Sequence, residues 1–350
     1  MKKRVTIADV ARKAGVSVGT VSAVLNNRPT VREHTRRRVL AAIEELGYQP
    51  SPSARALGAM QGDGKVFEPA IGLIVKEMDN PFYSEVVIGA QEYLAACGYI
   101  SFVCTSEGSY EKEGELLKAF QNRYVQGAVI APVLDARADL SHLFMLRRAE
   151  YPFVLLEAVQ GLPVNVVSVD NVKAAQMAVY YLIERGHERI VHFAGPPYTQ
   201  HTRDRILGVE KAFSQSHLRF TDEVIIPAGA HLQDGYEAAL EYFRTHRDNM
   251  PTGVTCFNDL VAMGVLRALS ELGIRVPDDV SVIGFDDIPM AAYLTIPLTS
   301  VHVPKREMGA KAAELLLELI EAKEKNETRP PRHIVLEAKL IERASTRALR

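Results

Sequence analysis

A small all-α segment followed by a larger α/β region of two parallel-sheet lobes is the fold class that these 350 residues predict. Three observations carry it. Apolar residues recur at helical spacing through the first fifty residues, short apolar runs alternate with helical stretches from residue 71 onwards, and the charge is unevenly divided. Residues 1–60 hold eleven lysines and arginines against four acids, a net of +7, so in a chain of net charge −2 the remainder carries −9. Only the first part therefore suits a polyanion.

With 47% hydrophobic and 24% charged residues and no apolar run of bilayer length, the composition is that of an ordinary globular protein rather than a membrane protein. The start, MKKRVTIADVARKAG, has the positive opening of an export signal, but Asp9, Arg12 and Lys13 interrupt its apolar region, so a cytoplasmic protein is expected. Three cysteines, Cys97, Cys104 and Cys256, widely spaced and without C-x-x-C, give neither a disulfide framework nor a zinc site. Cys97 and Cys104 are expected in or near the core. No metal and no cofactor is expected.

The first helix opens at Thr6 as N-cap, carries Ile7, Ala8, Val10, Ala11 and Ala14 on one stripe and stops at Gly15. Ser17 offers the next N-cap, and Val21, Val24 and Leu25 point toward a core until Asn26-Asn27-Arg28-Pro29 ends the helix. Thr30-Val-Arg-Glu33 has the form of a capping box, and Val39, Leu40, Ile43 and Leu46 form the apolar stripe of a third helix ending at Gly47. Helix, glycine turn and short helix is the spacing of a helix-turn-helix, whose second helix enters the major groove of DNA. The groove side would carry Val18, Gly19, Ser22, Ala23 and Asn26. An amphipathic helical hairpin with no nucleic-acid role fits the pattern equally well.

The stretch TIADVARKAGVSVGTVSAVLNN with VREHTRRRVLAAIEELGYQPSPSARAL resembles the DNA-binding headpiece of the LacI/GalR family of bacterial transcription regulators, from Thr6 to Leu57. The resemblance implies base reading by Val18, Gly19, Ser22 and Ala23, and phosphate contacts from Thr6, Ser17, Thr20, Asn26 and Arg36. Ala23 stands where relatives commonly carry arginine, so the operator is expected to differ from the usual family half-site. Residues 50–65 would form a hinge helix and linker in which Ser53, Ala54 and Leu57 meet the minor groove, Leu57 matching the leucine that relatives push between base pairs.

Beyond the linker, the runs IGLIV (71–75), ISFVCT (100–105), GAVIAPV (127–133), FVLLEAV (153–159), VVSVD (166–170), RIVHFAG (189–195), GVTCFND (253–259) and VSVIGFDD (280–287) read as strands of parallel sheets between helices. Runs 71–133 and 189–285 repeat the same order, which indicates two lobes in tandem. In such folds ligands bind outside the carboxyl ends of the strands. Phosphate-loop, dinucleotide and nucleophile-elbow motifs are missing from the sequence, and no enzyme is expected.

The resemblance continues through DNPFYSEVVIGAQEYLAACGY, VSVDN, LIERGHERIVHFAGP, RDRILGV, FNDLVAMGVLRALSELGIRVPDDVSVIGFDDI and PLTSVHVP. It implies a periplasmic-binding-protein-like effector domain with ligand contacts at Phe82, Tyr83, Glu157, Arg203, Arg205, Asn258 and Asp286. Carboxylates and an arginine can hydrogen-bond vicinal hydroxyls while an aromatic ring covers an apolar face, which favours a sugar or nucleoside. Ala158 and Ala230 stand where relatives often carry aromatic side chains, so a roomier cleft is expected, one that suits an oligosaccharide or glycoside as well as a free monosaccharide.

The expected organisation is a headpiece at 1–49, hinge and linker at 50–65, and an effector-binding and dimerisation domain at 66–350. Its N-lobe would comprise about 66–167 plus about 298–330, and its C-lobe about 168–297 plus about 331–345. The reading is a homodimeric, ligand-responsive transcription regulator, most simply a repressor, with a pseudo-palindromic double-stranded DNA operator and a small-molecule effector, expected to be a carbohydrate. The alternative is a soluble sugar-binding protein without DNA regulation. A sugar hydrolase would need two carboxylates facing one bond, for which Glu157 and Asp286 are the pair to test.

Overall fold

The computed structural model describes residues 7–25, 31–46, 69–121, 125–134 and 139–349. Thr6, Asn26 and the hinge residues Ser53, Ala54 and Leu57 lie outside these, as does the side chain of Leu25. The headpiece and the α/β region are separate compact units.

Three helices build the headpiece: α1 (Ile7–Ala14), α2 (Val18–Leu25) and α3 (Glu33–Leu46). Val10, Ala11, Ala14, Val21, Val24, Val39 and Ala42 are buried together, with Val16, Val31, Ile43 and Leu46 packed around them. The turn between α1 and α2 closes as the sequence predicts. Gly15 sits at φ +62°, and the Val16 amide donates to the Ala11 carbonyl at 3.0 Å, the six-to-one bond of a glycine-terminated helix. The Ser17 hydroxyl accepts from the Thr20 amide at 3.1 Å and so caps α2.

Two expectations change in α3. Leu40, assigned to the apolar stripe, is 50% exposed, and Ala42 takes the core position instead. Positions 39, 42, 43 and 46 follow the helical repeat from Val39, whereas residue 40 is turned about 100° from it. Glu33 opens α3 rather than standing three residues inside it, because Arg32 carries the first accepting carbonyl, at 3.0 Å from the Arg36 amide. Thr30, the N-cap of the expected capping box, lies outside the described residues.

The α/β region holds two six-stranded sheets. The first runs in the order β11-β5-β4-β3-β1-β2. Its strands are β1 (Ala70–Val75), β2 (Ile100–Thr105), β3 (Val125–Ile130), β4 (Phe153–Leu155), β5 (Asn165–Val169) and β11 (His333–Leu336). The second runs β12-β10-β9-β8-β6-β7, with β6 (Ile190–Ala194), β7 (Ile225–Pro227), β8 (Gly253–Cys256), β9 (Ser281–Asp286), β10 (Thr299–His302) and β12 (Lys339–Ile341). The pairs β3–β4, β4–β5, β5–β11, β6–β7, β6–β8, β8–β9 and β9–β10 are parallel, and β12 runs antiparallel to β10. Strands buried on both faces explain the unbroken apolar runs, such as AIGLIV in β1.

Helices cover the sheets: α4 (Pro81–Ala96), α5 (Tyr110–Gln121), α6 (Ser141–Arg148), α7 (Asn171–Glu184), α8 (Gln200–Ser214), α9 (Leu232–Thr245), α10 (Asp259–Glu271) and α11 (Lys305–Glu324). Helices α4 and α11 cross in close contact, where a side chain on Gly89 would strike the Arg306 backbone and one on Gly309 the Val86 carbonyl. Cys97, expected near the core, is exposed, because it is the C-cap of α4 and Gly98 at φ +79° turns the chain away there.

The chain passes between the sheets three times: after Val169, between His302 and Lys305, and between Leu336 and Lys339. The expected lobe limits shift accordingly. Thr299–His302 belongs to the second sheet, where it pairs with β9, and not to a first-lobe segment starting at 298. His333–Leu336 belongs to the first sheet, beside β5, and not to the second lobe. In each case strand pairing decides, because β10 and β11 are too short for their apolar pattern alone to choose a sheet. No helix among the described residues is long and apolar enough to cross a membrane.

Candidate functional site

On α2 the residues proposed to face DNA lie opposite the buried Val21 and Val24. Val18 and Gly19 are exposed, and Thr20, Ser22 and Ala23 half-buried. Positions 18, 19, 22 and 23 form one face at helical spacing, and it carries no charge and no long side chain. Ser17 is exposed and engaged as the cap of α2, its hydroxyl also 2.9 Å from that of Thr20. The arginine run divides by role. Arg36 is half-buried and Arg37 exposed, while Arg38 donates to the Ala14 carbonyl at 2.5 Å and so closes the end of α1 onto α3.

In the α/β region the carboxyl ends of both sheets open on one cleft. Two adjoining cavities, of about 190 Å³ and about 210 Å³, share Lys76, Tyr83 and His201 in their walls. The first is lined by Phe82, Glu157, Arg205, by Ser168–Val172 and Val303 at the first two crossings, and by His333 of β11. Glu77, Asn80, Tyr198, Ala230, His231 and Asn258 line the second.

Helix starts place most of these groups. The Asn80 side chain accepts from the Phe82 amide at 3.0 Å, and Pro81 follows as the first helical residue, which fixes Phe82 and Tyr83 in the first turn of α4. Their rings meet edge to face at 5.2 Å. Thr199 caps α8 and puts Gln200 and His201 at the cleft. Asn258 caps α10, accepting from the Val261 amide and donating to the Ala230 carbonyl, both at 2.8 Å. Its amide is thereby occupied in fixing the turn, although the residue lines the second cavity.

Glu157 is the least satisfied group of the cleft. It is 7% exposed, and neither carboxylate oxygen has a hydrogen-bond partner. Lys76 Nζ stands 3.6 Å and His201 Nδ1 3.2 Å from Oε2, the latter reaching across from the second sheet. Burial pushes the Glu157 carboxyl up to about 6, against the pull of Lys76. The Lys76 pKa is raised, since Tyr83, Glu157 and Glu113 outweigh its burial. His201 is held well below the usual imidazole range by burial and by the cations Lys76 and Arg205, so it is neutral.

Arg205 is fully engaged. Its Nε donates to Asn171 Oδ1 at 3.0 Å, Nη1 donates to the Phe257 carbonyl, and Nη2 lies 3.7 Å from Asp286 Oδ1. The guanidinium stacks on Phe285 at 3.6 Å and approaches Phe257 at 4.7 Å. Asp286 thus lies behind Arg205 and does not itself line either cavity. Burial lifts its carboxyl to about 6, opposed by Arg205 and Lys305. Asp286 and Asp287 both have positive φ, +102° and +53°, and the turn is tied down from behind. Lys305 donates to the Asp286 carbonyl at 2.5 Å and the Asp287 carbonyl at 2.8 Å, while Asp287 pairs with His302 at 2.8 Å and Arg343 at 2.7 Å.

Of the effector residues expected from the sequence, Phe82, Tyr83, Glu157 and Arg205 come together, Asn258 borders the second cavity and Asp286 supports Arg205. Arg203 does not join them. It is exposed and bonds Gln200 at 2.9 Å, because two residues along a helix is a turn of about 200° from Arg205. Lys76, His201 and Tyr198 were not expected. The signal for Lys76 was there, since it is the first residue beyond the apolar run of β1, whereas His201 depends on the approach of two lobes.

Residues 6–51 match the family described as bacterial regulatory proteins, lacI family, and residues 179–346 match a periplasmic binding protein-like domain. The HTH-type transcriptional repressor PurR of Photobacterium profundum is 35% identical over 325 residues, 93% of this chain and 94% of that one. The chain belongs to the LacI family. A repressor of the same name from Vibrio atlanticus is 33% identical over 98% of this chain and 99% of its own. Among solved structures, a complex of the transcriptional regulator CelR with cellobiose has a TM-score of 0.71 at 30% identity, covering 98% of this chain and all of that one. The lac repressor dimer bound to operator and the anti-inducer ONPF gives 0.71 at 25% identity, over 99% and 100% of the two chains. Like other LacI-family regulators, the protein is a dimeric, operator-binding transcriptional repressor controlled by a small-molecule effector. That sets aside a sugar-binding protein without DNA regulation.

Proposed function

We propose that the effector is a neutral carbohydrate, a sugar or glycoside, bound in the interlobe cleft of a cytoplasmic regulator. The observation that carries this is Glu157, a buried carboxylate neither of whose oxygens has a hydrogen-bond partner, although Lys76 and His201 stand near Oε2, in a cavity that the Phe82 side chain also lines. Leaving such a group without hydrogen bonds is costly, and ligand hydroxyls can donate to Glu157, accept from Lys76 and leave an apolar ring face for Phe82. The first cavity presents Lys76 and Arg205 against Glu157, Asp170 and Asp204, so it has no excess of positive charge for a phosphate. The CelR structure with cellobiose and a regulator from Enterococcus faecium with bound ribose, 26% identical with a TM-score of 0.69, support the same class. Binding proceeds without turnover, since Asp286 sits behind Arg205 instead of facing a bond together with Glu157.

On the DNA side, Val18, Gly19, Ser22 and Ala23 read bases and Ser17, Thr20 and Arg36 hold phosphates. The exposed, uncharged face of α2 supports this, because small side chains allow close approach to base edges. A thermal-shift panel on the full-length protein tests the effector class. Stabilisation by at least one mono- or disaccharide is expected, and a purine base or nucleoside that raises the melting temperature while no sugar does would overturn it.

A further inference from the structure

We infer that the cleft contains two subsites and that the effector is a two-ring saccharide, its first ring beside Glu157 and its second against Tyr198. This rests on the carbohydrate reading above and goes further in naming the ligand's size and the residue that selects it. Each cavity is smaller than the roughly 300–1,000 Å³ of sites that enclose drug-sized ligands, but the two adjoin through Lys76, Tyr83 and His201. A ligand filling both must narrow where those three side chains meet, as two rings do at a glycosidic oxygen.

The second cavity has the parts of a sugar subsite in its own right. Tyr198 is 46% exposed, and its phenol has no hydrogen-bond partner among the described residues, so its ring is available as a platform for the apolar face of a sugar. Ala230 contributes only a methyl group to the wall of the same cavity. Polar groups surround the space, among them Glu77, Thr199 and His231. The outer side is closed by His231 Nε2, 3.2 Å from Glu77 Oε2 across the lobes. At the junction, the neutral His201 borders both cavities and can serve a bridging oxygen or a hydroxyl on either side of it.

Calorimetric titration of the full-length dimer with maltose, cellobiose, lactose and sucrose, and with glucose, galactose and fructose, tests the inference. At least one disaccharide should bind about tenfold or more tightly than either of its constituent sugars. Tyr198→Ala should weaken that disaccharide by about tenfold while leaving the monosaccharide within about twofold, whereas Glu157→Gln should weaken both. Tyr198 lies at the cleft mouth and outside both hydrophobic cores, so unfolding of the variant is not expected, and Tyr198→Phe should retain the parent's affinity. A monosaccharide that binds as tightly as any disaccharide containing it, or equal losses for both ligands in Tyr198→Ala, would overturn the two-subsite inference alone. If no sugar of either size binds, the carbohydrate reading falls with it.

Discussion

On the proposed base-reading face of α2, Ala23 has one methyl group to offer a base pair and nothing to donate to guanine, so under that proposal any discrimination at its position comes from thymine methyls. Ala23→Arg should shift the selected half-site toward guanine at one symmetric position, with about 1–3 kcal/mol of discrimination per half-site, as read by selection from random DNA. An unchanged selected sequence would show that residue 23 does not face the bases. Glu157 makes the corresponding prediction in the cleft. Its carboxyl is raised from 4.5 to about 6, so in the free protein it adds stability that is fully present below pH 4.5 and is lost as pH climbs through about 6. A ligand that donates to the carboxylate favours the ionised form. Effector affinity should therefore fall as pH drops from 7 to 5, and Glu157→Gln should remove that step; an identical step in the variant would assign it to another group.

Single elements show where sequence reading succeeds. Cap and glycine signals placed α1 and α2, because Gly15 and Ser17 act through their own neighbours, and the long apolar runs of β1, β6, β8 and β9 were legible because both faces of those strands are buried. The three- and four-residue strands β7, β10, β11 and β12 were not, since so few residues show no period and partners distant in the chain decide their sheet. Arg205, Phe82 and Glu157 were implied by the family resemblance at matching positions, while the role of Lys305 was not. That lysine opens α11, yet its ammonium reaches back to the carbonyls of Asp286, Asp287 and Val303. It joins the strained turn under Arg205 to the second crossing. Lys305→Met should lower stability by about 1–3 kcal/mol through the acceptors it leaves unpaired, measured by urea unfolding. It should also weaken effector binding, because Asp286 would no longer be held against Arg205. Parent-like affinity in the folded variant would confine Lys305 to stability.

For the whole molecule, effector and operator meet as two ligands of one equilibrium. Whatever factor the effector applies to operator affinity, operator DNA must apply to effector affinity, in the range of about 5–150-fold for couplings of 1–3 kcal/mol. Titrating the effector with and without a bound operator duplex should return the same factor as titrating the duplex with and without effector. Unequal factors would mean that a further species, such as dissociated monomer, takes part.

The three crossings also set what kind of motion can carry that coupling. Each is about two residues long; Asp170 of the first lines one cavity with Val303 of the second and another with Glu337 and Ala338 of the third, so the three lie side by side as short, inextensible tethers. Tethers of that kind forbid the lobes to slide or separate and leave rotation about the line through them. The first sugar ring would rest almost on that axis. A displacement too small to notice beside Ser168 or Val303 becomes a wide sweep at the far ends of the lobes, as a short lever arm drives a long one. The protein's response to its effector is thereby set by distance from the pivot, and substitutions along the tethers should change the sign or reach of the response more than the affinity itself.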